Sequence, residues 1–286
     1  MIAARIFAES FLPMRASALI RLAFLALLLA TVGCSHFGKK GDETETLPLD
    51  QLYGQAKESL QNNNLSRATH YYERLIARFP FGPYTEQAQL ELAYAQYKDR
   101  KEEEAYSTVN RFIKTYPTHK HIDYAFYLRG LINFNRSTGL LERYIDRDQS
   151  KRDQGYSQQS FDDFSELVKR YPSSEYAADG RQRMIYLRDN MARSELNIAL
   201  FYLRLEAYVA ASNRAEHIVQ TFQGTPQAAD ALAVMAESYK RLGQDKLSDD
   251  ARRVLELNAP EHPYLAGHWP AKRHYWKRMV PFINRG

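Results

Sequence analysis

Residues 56–80 read AKESLQNNNLSRATHYYERLIARFP, and this stretch decides the fold. Ala56, Leu60, Ala68, Tyr72, Leu75 and Ile76 recur at three- and four-residue steps on either side of Asn62-Asn63-Asn64. That spacing marks amphipathic helices, whereas a half-buried strand would alternate every second residue. Three asparagines in a row favour a turn, and Phe79-Pro80 closes the second helix because proline cannot continue it. The stretch predicts two helices folded back on each other.

The same marks return along the chain. Small residues stand at Ala56, Ala93 and Gly130, each 37 positions after the last, and at Ala199 and Ala236 with the same separation. A second small residue follows twelve positions later at Ala68, Ala105, Ala211 and Ser248. An aromatic closes the unit at Phe79, Tyr116 and Phe222, and Ala259-Pro260 takes that place in the last. The unit opening at Gly130 obeys the pattern once 18 residues are inserted; its second small residue is then Ser160 and its close Tyr171-Pro172. Another insertion lies between Pro172 and Ala199, after which the register resumes. Facing small residues let two helix backbones approach while larger neighbours fill the gaps. This is the logic of the tetratricopeptide repeat, whose period is about 34 residues. The slightly longer units here predict longer turns between repeats. The expected fold is all-α, a superhelical stack of about five tetratricopeptide-like helix hairpins with insertions in and after the third. Such a stack carries a concave groove suited to peptides.

At the N-terminus, Arg15 and Arg21 precede an apolar run from Leu22 to Val32, then Gly33 and Cys34. That run has the length of an export-signal core and is too short to span a bilayer. Residues 1–33 are the expected signal peptide; Glu9 and Pro13 interrupt its early part, which favours Met14 over Met1 as the start of translation. Cys34 is the sole cysteine and has no internal disulfide partner. Thr31-Val32-Gly33-Cys34 resembles a bacterial lipobox, although that pattern prefers leucine where Thr31 stands. The resemblance implies a diacylglycerol and an N-acyl chain on Cys34, and Ser35 after it implies sorting to the outer membrane. An ordinary secretory signal ending near a free cysteine is the other reading. Residues 34–49 are charged and poor in apolar side chains, which predicts a flexible tether before a repeat domain at 50–260.

Little in the chain points to catalysis. No phosphate-cradling glycine loop, nucleophile elbow or His-Glu-x-x-His helix occurs, so neither enzyme nor cofactor is expected beyond the acyl chains. His119 and His121 form the one pair close enough to suggest a metal, but no carboxylate or cysteine cluster joins them, and solvated turn histidines are expected. Asp162-Asp163 reads as a pair at the start of an amphipathic helix, where acids favour the helix dipole. The formal charge of +5 becomes +3 without residues 1–33, too mild for nucleic-acid binding. Three segments depart from the repeat. One is the aromatic turn Phe79-Pro80-Phe81-Gly82-Pro83-Tyr84. The second is the inserted stretch with its charge run Arg143 to Asp153, for which a solvated loop is the plainer reading. The third is the tail 261–286, basic and holding both tryptophans, Trp269 and Trp276. Its composition suits a membrane interface, a partner groove or a disordered end.

Several of these stretches together resemble the BamD family, lipoproteins of the outer-membrane β-barrel assembly machine. The residues that carry the likeness are Arg78 to Tyr84, Pro117-Thr118-His119, Ile122-Asp123-Tyr124, Arg129-Gly130, Asp146-Arg147-Asp148, Arg152-Asp153 and Phe161 to Leu167 before Tyr171-Pro172. The likeness runs from about Tyr53 to Leu257. It implies a non-enzymatic scaffold facing the periplasm that joins the POTRA region of BamA, other lipoproteins such as BamC and BamE, and unfolded barrel proteins. The family's arginine contact to BamA falls in an Asn-Arg pair, which matches Asn213-Arg214; Glu216 beside it extends that assignment. A groove near Tyr53, Tyr84 and Tyr94 would hold the apolar end of a substrate. Two rival roles remain, an adaptor for peptidoglycan or another envelope complex, and a DNA-uptake component.

Overall fold

The computed structural model describes residues 43–138 and 154–269. Met1–Leu52 and Tyr53–Gly286 form two compact units. Of the first, the described part is a 3-10 turn, Glu43–Glu45, and the opening of helix α1 (Leu49–Gln61). The second continues α1 and adds α2 (Leu65–Arg78), α3 (Pro83–Lys98), α4 (Glu102–Thr115), α5 (Ile122–Thr138) and α6 (Gly155–Arg170). Then come α7 (Ala177–Arg204), α8 (Tyr208–Thr221), α9 (Gln227–Arg241) and α10 (Asp245–Asn258). No strand occurs among the described residues. From α2 onward each helix packs on the next along the chain, and α7 also packs on α9. This nearest-neighbour layout is that of a helical repeat.

The sequence register is the packing register. Ala56, Ala93, Ala199 and Ala236 are fully buried, and so are Ala68, Ala105 and Ala211. Where the second small residue is serine, its hydroxyl donates to the carbonyl of the first: Ser160 to Gly130 at 3.0 Å and Ser248 to Ala236 at 2.9 Å. A side chain this short reaches a backbone only where two helices nearly touch. Gly130 marks an approach too close for any side chain, since a Cβ there would lie 2.6–2.9 Å from the ring of Phe164.

The closing residues are helix caps. The N–H groups of Phe79, Tyr116, Tyr171, Phe222 and Ala259 donate to carbonyls four residues back, finishing α2, α4, α6, α8 and α10. Connections inside a hairpin take three residues at Asn62–Asn64, and the corresponding turns centre on Arg100, Glu206 and Gly243. At all four turns one residue is left-handed, with φ of 56° at Asn63, 62° at Arg100, 60° at Glu206 and 70° at Gly243. The following N–H then returns five residues, as from Lys101 to Gln96 at 2.9 Å, which satisfies carbonyls that the helix end would otherwise orphan. Connections between hairpins are longer, four to six residues, as the extended period predicts.

The two insertions take different forms. Most of the first, with the run Arg143–Asp153, lies outside the described residues. The second is helix. Pro172 and Ala199 are 27 positions apart where Pro80 and Ala93 are 13 apart, an excess of 14 residues. Fourteen residues make nearly four turns at about 3.6 per turn, so the small residue returns to the inward face. The resulting α7 is 28 residues long and serves two cores. Leu187 joins the core built from α3 to α6, while Met191, Leu196 and Ala199 join the core of α8 and α9.

Candidate binding groove and docking face

The aromatic turn opens a groove. Phe79 caps α2 under the guanidinium of Arg78, 4.9 Å from the ring centroid. Gly82 has φ 109°, a conformation closed to side-chain-bearing residues, and Pro83 starts α3 where its missing N–H is harmless. Thr85 donates its hydroxyl back to the carbonyl of Phe79 and locks the turn. Phe81 is left 89% exposed and Tyr84 44% exposed. The Tyr84 ring meets Tyr53 edge-on at 5.2 Å, and Tyr53 meets Tyr72 at 6.4 Å.

Tyr53 and Tyr84 line a cavity of about 800 Å³ whose far wall is Thr115 to His121. A second cavity of about 330 Å³ adjoins it, lined by Leu60, Leu90, Tyr94, Tyr124 and Tyr176. Gln87, Glu91 and His121 border both, so the three tyrosines named from sequence fall along one groove. Glu91 organises its floor. Its carboxylate accepts from Tyr53 at 3.0 Å, from Tyr72 at 2.7 Å and from Gln87 at 2.9 Å. Burial, then the charge of Glu91, holds both tyrosine hydroxyls well above their ordinary range, so they remain donors. His119 is pulled below its usual value by burial, against Glu86, and packs edge-on to Phe112 at 5.1 Å. His119 is thus half-buried against the groove wall within the turn, while His121 is exposed, as a solvated turn histidine would be.

The Asn213-Arg214 pair lies on the outer face of α8, both residues exposed. Arg214 reaches Glu195 of α7 at 3.1 Å. Glu216 does not share that side: it accepts from Gln220 at 2.9 Å, and its charge bears on Tyr239 of α9. Residues two apart on a helix point in different directions, so the two do not form one contact patch. Cys34 and Trp276 lie outside the described residues.

Two features escaped the sequence reading. Asp163 is not at a helix start but in the middle of α6, buried, 2.6 Å from Arg129 Nε and accepting from Asn133 at 2.7 Å. Arg129 also reaches Glu166 at 2.6 Å and Asn110 at 3.2 Å. The helix-dipole account of Asp163 is therefore wrong; it answers a buried cation. The signal was present, since Arg129 occupies the repeat position of Leu92. The second feature is the start of the tail. Trp269 donates its indole N–H to Asp230 at 2.7 Å, His262 lies 3.2 Å from the same oxygen, and Tyr264 packs edge-on to Trp269 at 5.9 Å. Residues 262–269 are thus a strap over the last hairpin.

No described helix is long and apolar enough to cross a membrane. Solved tetratricopeptide structures superpose loosely; a thermophilic protein from Thermus thermophilus gives a TM-score of 0.33 at 15% identity, over 77% of this chain and 96% of that one. Sequence relatives are far nearer. The outer membrane protein assembly factor BamD of Xylella fastidiosa strain 9a5c is 44% identical, covering 91% of this chain and 90% of that protein. The Neisseria meningitidis Z2491 protein of the same name is 37% identical over 88% and 96%. That of Vibrio cholerae is 35% identical over 82% and 96%. With the YfiO family, described as outer membrane lipoproteins, matching residues 45–255, the chain belongs to the family of BamD.

Proposed function

We propose that the chain is a scaffold of outer-membrane barrel assembly, anchored through acyl chains on Cys34 and carrying its repeat domain at 50–260 into the periplasm. The groove of Tyr53, Tyr84 and Tyr94 holds the apolar end of an unfolded barrel protein. The outer face of α8 docks on the POTRA region of BamA through Arg214 and Asn213, and BamC and BamE join the same assembly. The observation that carries this reading is the groove: aromatic edges above a floor fixed by Glu91, in a chain whose relatives are named assembly factors. Aromatic walls bury apolar side chains, while fixed hydroxyls and amides orient a peptide backbone.

Arg214 suits a docking role because its present bond is weak. An exposed ion pair is worth about 0–1 kcal/mol, so Glu195 yields readily to a carboxylate that a partner desolvates. Charge reversal, Arg214→Glu, should lower recovery of the barrel component from solubilised outer membranes by about tenfold or more. Undiminished recovery at moderate salt would remove Arg214 from the interface. Tyr53→Ala with Tyr84→Ala should leave that recovery intact and reduce crosslinking to a peptide ending in phenylalanine. Recovery of murein enzymes in place of a barrel protein would favour the adaptor role.

A further inference from the structure

A cleft between α2 and α4 shares no residue with the groove. It holds about 540 Å³ and is lined by Glu73 of α2, Leu92 and Gln96 of α3, and Glu104, Thr108 and Arg111 of α4, among others. Gln96 is only 5% exposed, and its Oε1 is buried with no hydrogen-bond partner among the described residues. A buried orphan acceptor calls for an explanation. Glu73 and Glu104 are exposed, and no described cation lies within 4 Å of either; Lys101 feels the charge of both but makes its close pair with Asp99 at 2.7 Å.

The repeat supplies the explanation. One hairpin later, Leu92 becomes Arg129, Gln96 becomes Asn133, Glu73 becomes Asn110, Thr108 becomes Asp163 and Arg111 becomes Glu166. There a guanidinium fills the equivalent space, held by Asp163, Glu166 and Asn110. In the earlier hairpin the side chain at that position is leucine, and the space stays open. Its acids have moved from the α6 wall to α2 and the first turn of α4, while Arg111 repels a cation from the other end.

We infer that this cleft takes a basic side chain of a partner polypeptide, a guanidinium or ammonium seated as Arg129 is seated one hairpin on. Glu73 and Glu104 supply the charge, and rotation of the Gln96 amide would bring its orphaned Oε1 to the guanidinium as a carbonyl acceptor. Guanidinium suits the place best, since its planar fork can meet several acceptors at once.

The test uses the full isotope-labelled chain and two small probes, N-acetyl-arginine amide and N-acetyl-citrulline amide, which share a shape and differ in charge. The arginine probe should shift the Gln96 side-chain amide saturably, and citrulline should bind about tenfold more weakly or worse. The double variant Glu73→Gln, Glu104→Gln should weaken the arginine probe by a similar factor. Both positions are exposed, so its unfolding midpoint should match the parent's, and this is checked directly. Equal response to citrulline, an unweakened response in the folded double variant, or no saturable shift would each overturn the assignment. So would calcium ions displacing the probe at equal concentration, which would mark an ordinary cation site.

Discussion

Gly130 is held to glycine by what packs on it. At the corresponding place in the other four hairpins the chain has alanine, and four residues after the second small residue it has Tyr72, Val109, Ala215 and Arg252 where this hairpin has Phe164. The ring of Phe164 leaves no room for a methyl group at 130. Gly130→Ala should therefore destabilise the protein by about 1–3 kcal/mol despite alanine's better helix propensity. Urea denaturation measures it, and Phe164→Leu in the same chain should return part of the loss. Asp163 makes a prediction in pH. Burial raises its carboxyl to about 6 from the usual 3.8, with Arg129 and Asn133 pulling the other way. A group that binds its proton more tightly when folded adds stability below the unfolded value, and that contribution is lost as pH rises from 3.8 towards about 6. The stability of the parent relative to Asp163→Asn should accordingly fall across that window, by roughly 1–3 kcal/mol. A constant difference would mean that Arg129 keeps the carboxylate ionised throughout.

Among the elements, the hairpin turns show what sequence can and cannot reveal. Asn63 and Gly243 announce a left-handed residue by their type; Arg100 and Glu206 adopt the same conformation and announce nothing. Only the 37-residue spacing connects Arg100 to Asn63 and Glu206 to Gly243. A side chain in this region crowds the following carbonyl, at about 1–2 kcal/mol, partly offset by the lower chain entropy of a non-glycine residue. Arg100→Gly and Glu206→Gly should each raise stability by a few tenths to about 1 kcal/mol, read from thermal unfolding. A drop in midpoint would show that the side chains make compensating contacts. The buried network of Arg129 and Asp163 was missed for a related reason. Charged residues on a helix read as a solvated face, and only alignment of the repeats places Arg129 on an inward one.

On the scale of the whole molecule, the chain of small residues made the stack legible, because helix contact leaves a periodic mark. The groove was legible only in its tyrosines. Glu91 carries no such mark, since a glutamate on a helix has nothing to distinguish it until three donors converge on it. The strap was not legible either, because its hydrogen bond joins residues 39 positions apart. A repeat stack needs its last apolar face covered, and Leu232 and Leu255 lie beside Tyr264, Leu265 and Trp269. Trp269→Ala should therefore speed amide hydrogen exchange in α9 and α10 while leaving α3 and α4 unchanged. Uniform acceleration would mean that the stack unfolds as one body and not from its end.

α7 sets an angle as well as a distance. Because one continuous helix enters both cores, each residue added to or removed from its middle would translate one half by about 1.5 Å and rotate it by about 100° against the other. Each hairpin could keep its own packing while the face bearing Arg214 swung away from the side that holds the tyrosine groove. The helix acts as an indexing shaft, and the tolerated lengths are those that complete whole turns.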